Sequence, residues 1–174
     1  MLDRLAGNEA MKQHLQAALA GGKLAHSLLL CGEKGCGAGF AARCLAADYL
    51  YPQGGPAAEA VLAGQAPECL EVRGEGASGQ IRIERIRQVR EEVFHSALSA
   101  QGRVVLLYGA QNLNSASANA LLKVLEEPPE GVLFLLTASS PAAVLATIRS
   151  RCAAYDLSPL PPAQCAAWLK NQRP

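Results

Sequence analysis

The stretch LLLCGEKGCGAG, residues 28–39, decides how the rest of the chain is read. Leu28, Leu29, Leu30 and Cys31 supply apolar side chains to both faces, as in a strand buried inside a sheet. Gly32 and Gly37 follow with four residues between them, the spacing of the phosphate-cradling loop GxxxxGK(S/T). Where that loop requires Lys and then Ser or Thr, the chain has Ala38 and Gly39. An intact loop wraps phosphates with backbone N–H groups, bridges to them with its lysine and holds magnesium with its hydroxyl. Two of those three functions are gone. The glycines still permit the turn and the following helix still offers a positive N-terminus, which leaves weak anion binding open. Lys34 is expected on the wrong side of the turn to replace the lysine, and Glu33 adds a repelling charge. Taken alone, GEKGCGAG reads equally well as a glycine-rich turn with no ligand.

On either side of this stretch the chain alternates. Residues 8–20, NEAMKQHLQAALA, place Met11, Leu15, Ala18 and Leu19 on one helical face, with Asn8 as the candidate N-cap and Gly21-Gly22 as the end. A second helix is expected from about Phe40 to Tyr49, and residues 52–67 read as a loop around one short helix. CLEV (69–72) resembles a short strand, joined by RGEGASGQ to a helix in which Ile83, Ile86, Val89, Val93 and Ala97 form the apolar stripe. VVLLYG (104–109) and VLFLLTAS (132–139) read as buried strands on either side of NSASANALLKVLEEPP, a capped helix stopped by Pro128-Pro129. VLATIRSRC is a short helix and AAYDL a last strand. PPAQCAAWLKNQ is a helix whose Cys165, Trp168 and Leu169 need a partner surface. Such alternation implies right-handed crossovers and a parallel five-stranded sheet between layers of helices, a three-layer α/β domain. Residues 1–158 form that domain, and 159–174 read as the start of a helical lid cut just inside a second domain.

Composition narrows the function. With 174 residues, half of them apolar, the chain can bury one real core. A net charge of +1 gives no basic footprint, which disfavours a module that binds nucleic acid or an anionic membrane by itself. There is no run of 18 apolar residues and no signal-peptide pattern in MLDRLAGNEAMKQ, so the chain reads as cytoplasmic, with no membrane partner. Its six cysteines lack any CxxC pair and read as small apolar filler rather than metal ligands.

A second test of the loop lies at the third strand. In a phosphate-loop fold this strand should end in acidic residues that position magnesium and activate water, yet VVLLYGAQ ends in Tyr108, Gly109, Ala110 and Gln111. Loss of both halves together argues that nucleotide machinery has been dismantled on a retained scaffold.

NALLKVLEEPP (119–129) and SRC (150–152), with GNEAMKQHLQAAL and AHSLLLCG, resemble the ATPase module of bacterial sliding-clamp loaders, of the P-loop AAA+ class. The resemblance spans about residues 5–165. These subunits come as active motors and as the delta-prime type of DNA polymerase III, in which loop and acidic strand end are often degenerate; this chain is similar to the second type. The resemblance implies that Arg151, flanked by Ser150 and Cys152, is an arginine finger reaching the ATP of a neighbouring subunit. A permanently charged, planar guanidinium suits that task, whereas spacing alone would leave Arg151 a salt-bridged surface residue. It further implies that Ser139 lies at the sensor position of the fourth strand, with a hydrogen bond closing the strand end as the plain alternative. Asn119 and Lys123, one turn apart, are either a subunit contact or a solvated face.

The family's four-cysteine zinc module is replaced here by LYPQGGPAAEAVLAGQAPECLEV with Cys69 alone, so no zinc is expected. Arg82, Arg85, Arg87 and Arg90 face either DNA in the assembled ring or their own Glu84, Glu91 and Glu92. Together the resemblance and the lost loop residues imply a non-hydrolysing stator of the clamp loader in DNA replication, with no bound ATP, magnesium or other cofactor and no ATPase of its own. It works beside motor subunits that load the sliding clamp on primed DNA within the DNA polymerase III assembly. The alternative is an active motor with an atypical loop.

Overall fold

The structure is a computed structural model, and it describes residues 1–95 and 102–171. Five strands, β1 (Ser27–Cys31), β2 (Cys69–Val72), β3 (Arg103–Leu107), β4 (Val132–Ala138) and β5 (Ala153–Asp156), form one sheet in the order β2-β3-β4-β1-β5. Every neighbouring pair is parallel, with Ser27 opposite Phe134, Leu28 opposite Ala153, Cys69 opposite Val104 and Arg103 opposite Val132.

Helices α1 (Glu9–Ala20), α2 (Ala38–Leu50) and α3 (Pro56–Leu62) cover one face; α4 (Ile83–His95), α5 (Ser115–Glu126) and α6 (Ala146–Arg149) cover the other. Helix α7 (Pro162–Asn171) follows β5. The period of two along a strand sorts the side chains between these layers. Leu28 and Leu30, Val104 and Leu106, and Leu133 and Leu135 join the core under α1–α3. Leu29 and Cys31, Val105 and Leu107, and Phe134 and Leu136 join the core under α4–α6. Continuous apolar runs are therefore what these strands require, because neither face meets water.

Helix boundaries follow local chemistry. Asn114 caps α5 by accepting from the Ser117 N–H at 2.8 Å while the Ser117 hydroxyl accepts from the Asn114 N–H, a reciprocal capping box. Two expectations are corrected. Helix α2 begins at Ala38, two residues before Phe40, because Gly37 already serves as its N-cap. Asn8 occupies the N-cap position of α1 at φ 56°, but its side chain does not cap the helix. It accepts from the Ser158 N–H at 2.8 Å and donates to the Ser158 carbonyl, tying the start of α1 to the segment after β5.

Of the apolar stripe on α4, Ile86, Val89 and Val93 are buried, and Ala97 lies outside the described residues, as do the side chains of Trp168 and Leu169. Two of the α4 arginines pair with acids, Arg82 with Glu75 at 3.5 Å and Arg85 with Glu92 at 3.6 Å. Cys31 and Cys44 are fully buried, whereas Cys36, Cys69, Cys152 and Cys165 are only partly so. Among the described residues no helix is long and apolar enough to cross a membrane.

Phe134 sits at the middle of the central strand β4 with no exposed surface. Phe134→Ala is expected to destabilise the chain by roughly 3–5 kcal/mol, read from urea unfolding; a loss under about 1 kcal/mol would contradict this placement.

Candidate functional site

At the carboxyl end of β1 the Gly32 N–H donates to the Ala138 carbonyl at 3.0 Å, extending the pairing with β4, and the Cys36 N–H then closes a turn on the Glu33 carbonyl. Gly37 adopts φ 86°, a conformation that side-chain-bearing residues reach only with strain, and hands the chain directly to Ala38 of α2. A cleft of about 490 Å³ opens above this turn, bordered by residues 32–35 and 37–39, by Gly109 and Gln111 beyond β3, and by Thr137, Ala138 and Ser139 at the end of β4. The loop expected from residues 28–39 is thus formed, at the edge where parallel α/β sheets bind ligands.

Its chemistry is sparse. Ala38 and Gly39 present a methyl and a hydrogen, and the continuation of β3 through Tyr108, Gly109, Ala110 and Gln111 brings no carboxylate. Lys34, expected on the far side of the turn, in fact borders the cleft, beside Glu33 of opposite charge. The loop positions 38 and 39 carry neither lysine nor hydroxyl, and the carboxylate on the cleft, Glu33, lies in the turn rather than at the end of β3, so the residues present do not fit a magnesium nucleotide held as an intact loop holds it. Among the described residues no three His, Cys, Asp or Glu side chains gather to hold a metal.

Ser139 lines the cleft as an exposed residue just past the end of β4. The hydrogen bond that closes this strand end belongs to Thr137, whose Oγ1 accepts from the Gly109 N–H at 3.2 Å. Thr137 is the hydroxyl still inside the strand, whereas Ser139 lies past its end.

Beside the loop stands a polar cluster that no local motif announces. The Tyr108 hydroxyl accepts from Arg43 Nε at 3.0 Å and donates to Glu71 Oε1 at 3.1 Å. Arg43 and Arg73 both pair with Glu71, at 2.8 and 3.0 Å, and the Arg73 guanidinium lies 3.8 Å from the centre of the Tyr108 ring. Burial opposes ionisation of Glu71, but the Arg73 hydrogen bond and the Arg43 charge outweigh it and hold the carboxyl below its usual range. Burial pushes the Tyr108 phenol up to about 12, so it stays a hydrogen-bond donor at any physiological pH.

Arg151 lies at the opposite edge of the sheet. It lies two residues before β5, whose first residue, Ala153, is opposite Leu28 near the start of β1, whereas the cleft lies beyond the end of β1. A five-residue strand separates the two edges by about 15 Å. Ser150 ends α6, and Arg151 Nη2 pairs with Glu126 Oε1 at 2.6 Å while its Nη1 donates to the Thr147 carbonyl. Asn119, Lys123 and Glu126 recur at helical spacing on the exposed face of α5, so the structure gathers Asn119, Lys123, Arg151 and its acidic partner along one surface. Leu121 and Leu125 form the buried side, with Leu122 only partly covered.

A family model described as DNA polymerase III, delta subunit matches residues 7–161. The chain belongs to this family. It is 41% identical over 112 residues to the DNA polymerase III subunit delta' of Yersinia pestis, covering 64% of this chain and 33% of that protein. It is 34% identical over 173 residues to the subunit gamma/tau of Mycobacterium tuberculosis, covering 95% of this chain and 30% of that one. The chain thus spans about a third of the length of these relatives. A crystal structure of a DNA polymerase III gamma subunit-related protein from Thermotoga maritima superposes with a TM-score of 0.61 at 22% identity, over 86% of this chain and 47% of that one, and shares the fold. Among its relatives are DNA polymerase III delta' subunits, and the three-layer parallel α/β fold is one it shares with that solved structure.

Burial, and next the charge of Cys31, push the Cys152 thiol up to about 12, leaving roughly one in ten thousand ionised at pH 8. Iodoacetamide at pH 8 should alkylate Cys152 at least about a hundredfold more slowly in the folded chain than in urea, followed by peptide mass mapping. Equal rates would show that Cys152 is not packed against the core under α4–α6.

Proposed function

We propose that the chain is the non-hydrolysing subunit of a DNA polymerase III clamp loader, lending Arg151 to the ATP site of a neighbouring motor subunit. The observation that carries this reading is the separation of the two sites. Arg151 and the chain's own cleft lie at opposite ends of β1, a strand length of about 15 Å apart, so its guanidinium is not placed to act on a phosphate in that cleft. The cleft, in turn, has Ala38 and Gly39 where an ATPase needs lysine and hydroxyl.

The geometry gives each residue a role. Glu126 and the Thr147 carbonyl hold Arg151 in an ordered, partly exposed pose from which a neighbour's phosphate can recruit it. A charge-assisted bond to a phosphoryl oxygen stabilises the negative charge that develops there as the bond to the leaving group breaks. Asn119 and Lys123 lie along the same surface, where they would contact the subunit that carries that phosphate. The cleft keeps its turn as a structural joint, with no ATP, magnesium or zinc of its own, and residues 159–174 begin a helical lid. Sliding clamp and primed DNA are reached through the assembled complex, a cytoplasmic replication machine.

The length of the match to gamma/tau, 95% of the chain, favours a second reading, an active motor with an atypical loop. That reading requires the chain to bind magnesium ATP itself.

Arg151→Ala should move the melting temperature by no more than about 3 °C, because the ion pair is half exposed and surface pairs are weak. In the reconstituted complex it should slow hydrolysis at the site it serves by about a thousandfold, measured as phosphate release. Unchanged turnover would remove the finger assignment.

A further inference from the structure

Gly39 and Tyr108 are in contact across the emptied loop. A Cβ built on Gly39 would lie 3.3 Å from Tyr108 Cε1, tighter than most side-chain contacts, and 3.5 Å from Cδ1, in ordinary contact, so the ring would have to give by a few tenths of an ångström. A serine or threonine there would carry its oxygen one bond further out, towards space the ring already borders. Nor can the ring readily turn away. Its backbone N–H donates to the Val72 carbonyl at 2.9 Å, its hydroxyl is held by Arg43 and Glu71, and the Arg73 guanidinium covers one face. Arg43, one helical turn beyond Gly39 on α2, is itself fixed, with Nη1 donating to the Leu62 carbonyl at 3.1 Å and Nη2 on Glu71.

Charge closes the same side of the loop. Two guanidiniums surround one carboxylate, so Glu71 is already engaged by both arginines and is not free to hold a divalent cation brought to position 39, and on the cleft itself Glu33 stands beside Lys34 of opposite charge. The cluster joins α2 and the end of β3, which flank the loop, to the edge strand β2.

We propose that Tyr108, clamped by Arg43, Glu71 and Arg73, is a built-in plug on the metal side of the loop, which keeps magnesium nucleotide out even when lysine and hydroxyl are restored. This rests on the reading of the chain as a subunit without its own nucleotide, and it names the side chain that enforces that state. The missing loop residues are then only half of the closure.

Two variants of the full chain, A38K/G39S and A38K/G39S/Y108A, test the plug by titration calorimetry with magnesium ATP, each checked for native circular dichroism. The double variant is expected to bind no more tightly than the unsubstituted chain, and removal of the ring should raise affinity by about tenfold or more. A double variant that binds as tightly as the triple, or a folded triple that gains nothing, overturns the proposal. A second measurement needs no nucleotide. Gly39→Ala should shift the melting temperature upward by at least about 2 °C more in a Tyr108→Ala background than in the native one, helix propensity cancelling between the two. Equal shifts overturn the plug, whatever the calorimetry gives. Magnesium ATP binding by the unsubstituted chain would instead defeat the proposed function, so the two failures are distinguishable.

Discussion

All five strands run the same way, and that single constraint arranges everything functional in this molecule. Because the pairings are all parallel, every strand-to-helix turn gathers at one edge of the sheet and every helix-to-strand turn at the other. The glycine turn after β1, the end of β3 and the end of β4 therefore share one cleft. The turn between α6 and β5, with Arg151, is carried to the far edge. The same constraint forces burial on both faces of β1, β3 and β4, whose side chains split between two cores with almost no exposed surface. Such a sheet is a stiff spacer, so loss of chemistry at one edge does not disturb the geometry at the other.

The cleft is better described as rebuilt than as merely emptied. Where a nucleotide would join loop, strand end and helix, this chain has Tyr108 between Gly39 and Arg73, with Arg43 and Glu71 completing the hydrogen bonds. Partly buried, mutually satisfied charges of this kind define a geometry more than they add stability. At the other edge Glu126 and Arg151 are more exposed, and their ion pair can be exchanged for a stronger phosphate contact.

Much of this was legible in the sequence, and the parts that were not have physical reasons. Ser27–Cys31 was legible because a doubly buried strand announces itself as an apolar run ended by glycine, while the half-buried edge strand Cys69–Val72 also falls where the sequence puts it. Asn114 was readable as a cap because its partner Ser117 is three residues away. Asn8 was not, because its partner Ser158 is 150 residues away. The Tyr108 cluster draws on positions 43, 71, 73 and 108, which only the register of β2 against β3 brings together. Choosing Thr137 over Ser139 required knowing where β4 ends. The glycine turn, the acid-free strand end and Arg151 were all visible, but their placement on opposite edges depended on strand direction.

The central claim is that this nucleotide fold works without a nucleotide, as a rigid mount for a guanidinium directed at another subunit. Equilibrium dialysis of the chain against labelled ATP with magnesium tests that most directly. No saturable binding is expected below millimolar ATP; saturable, magnesium-dependent binding at micromolar concentrations would contradict the claim.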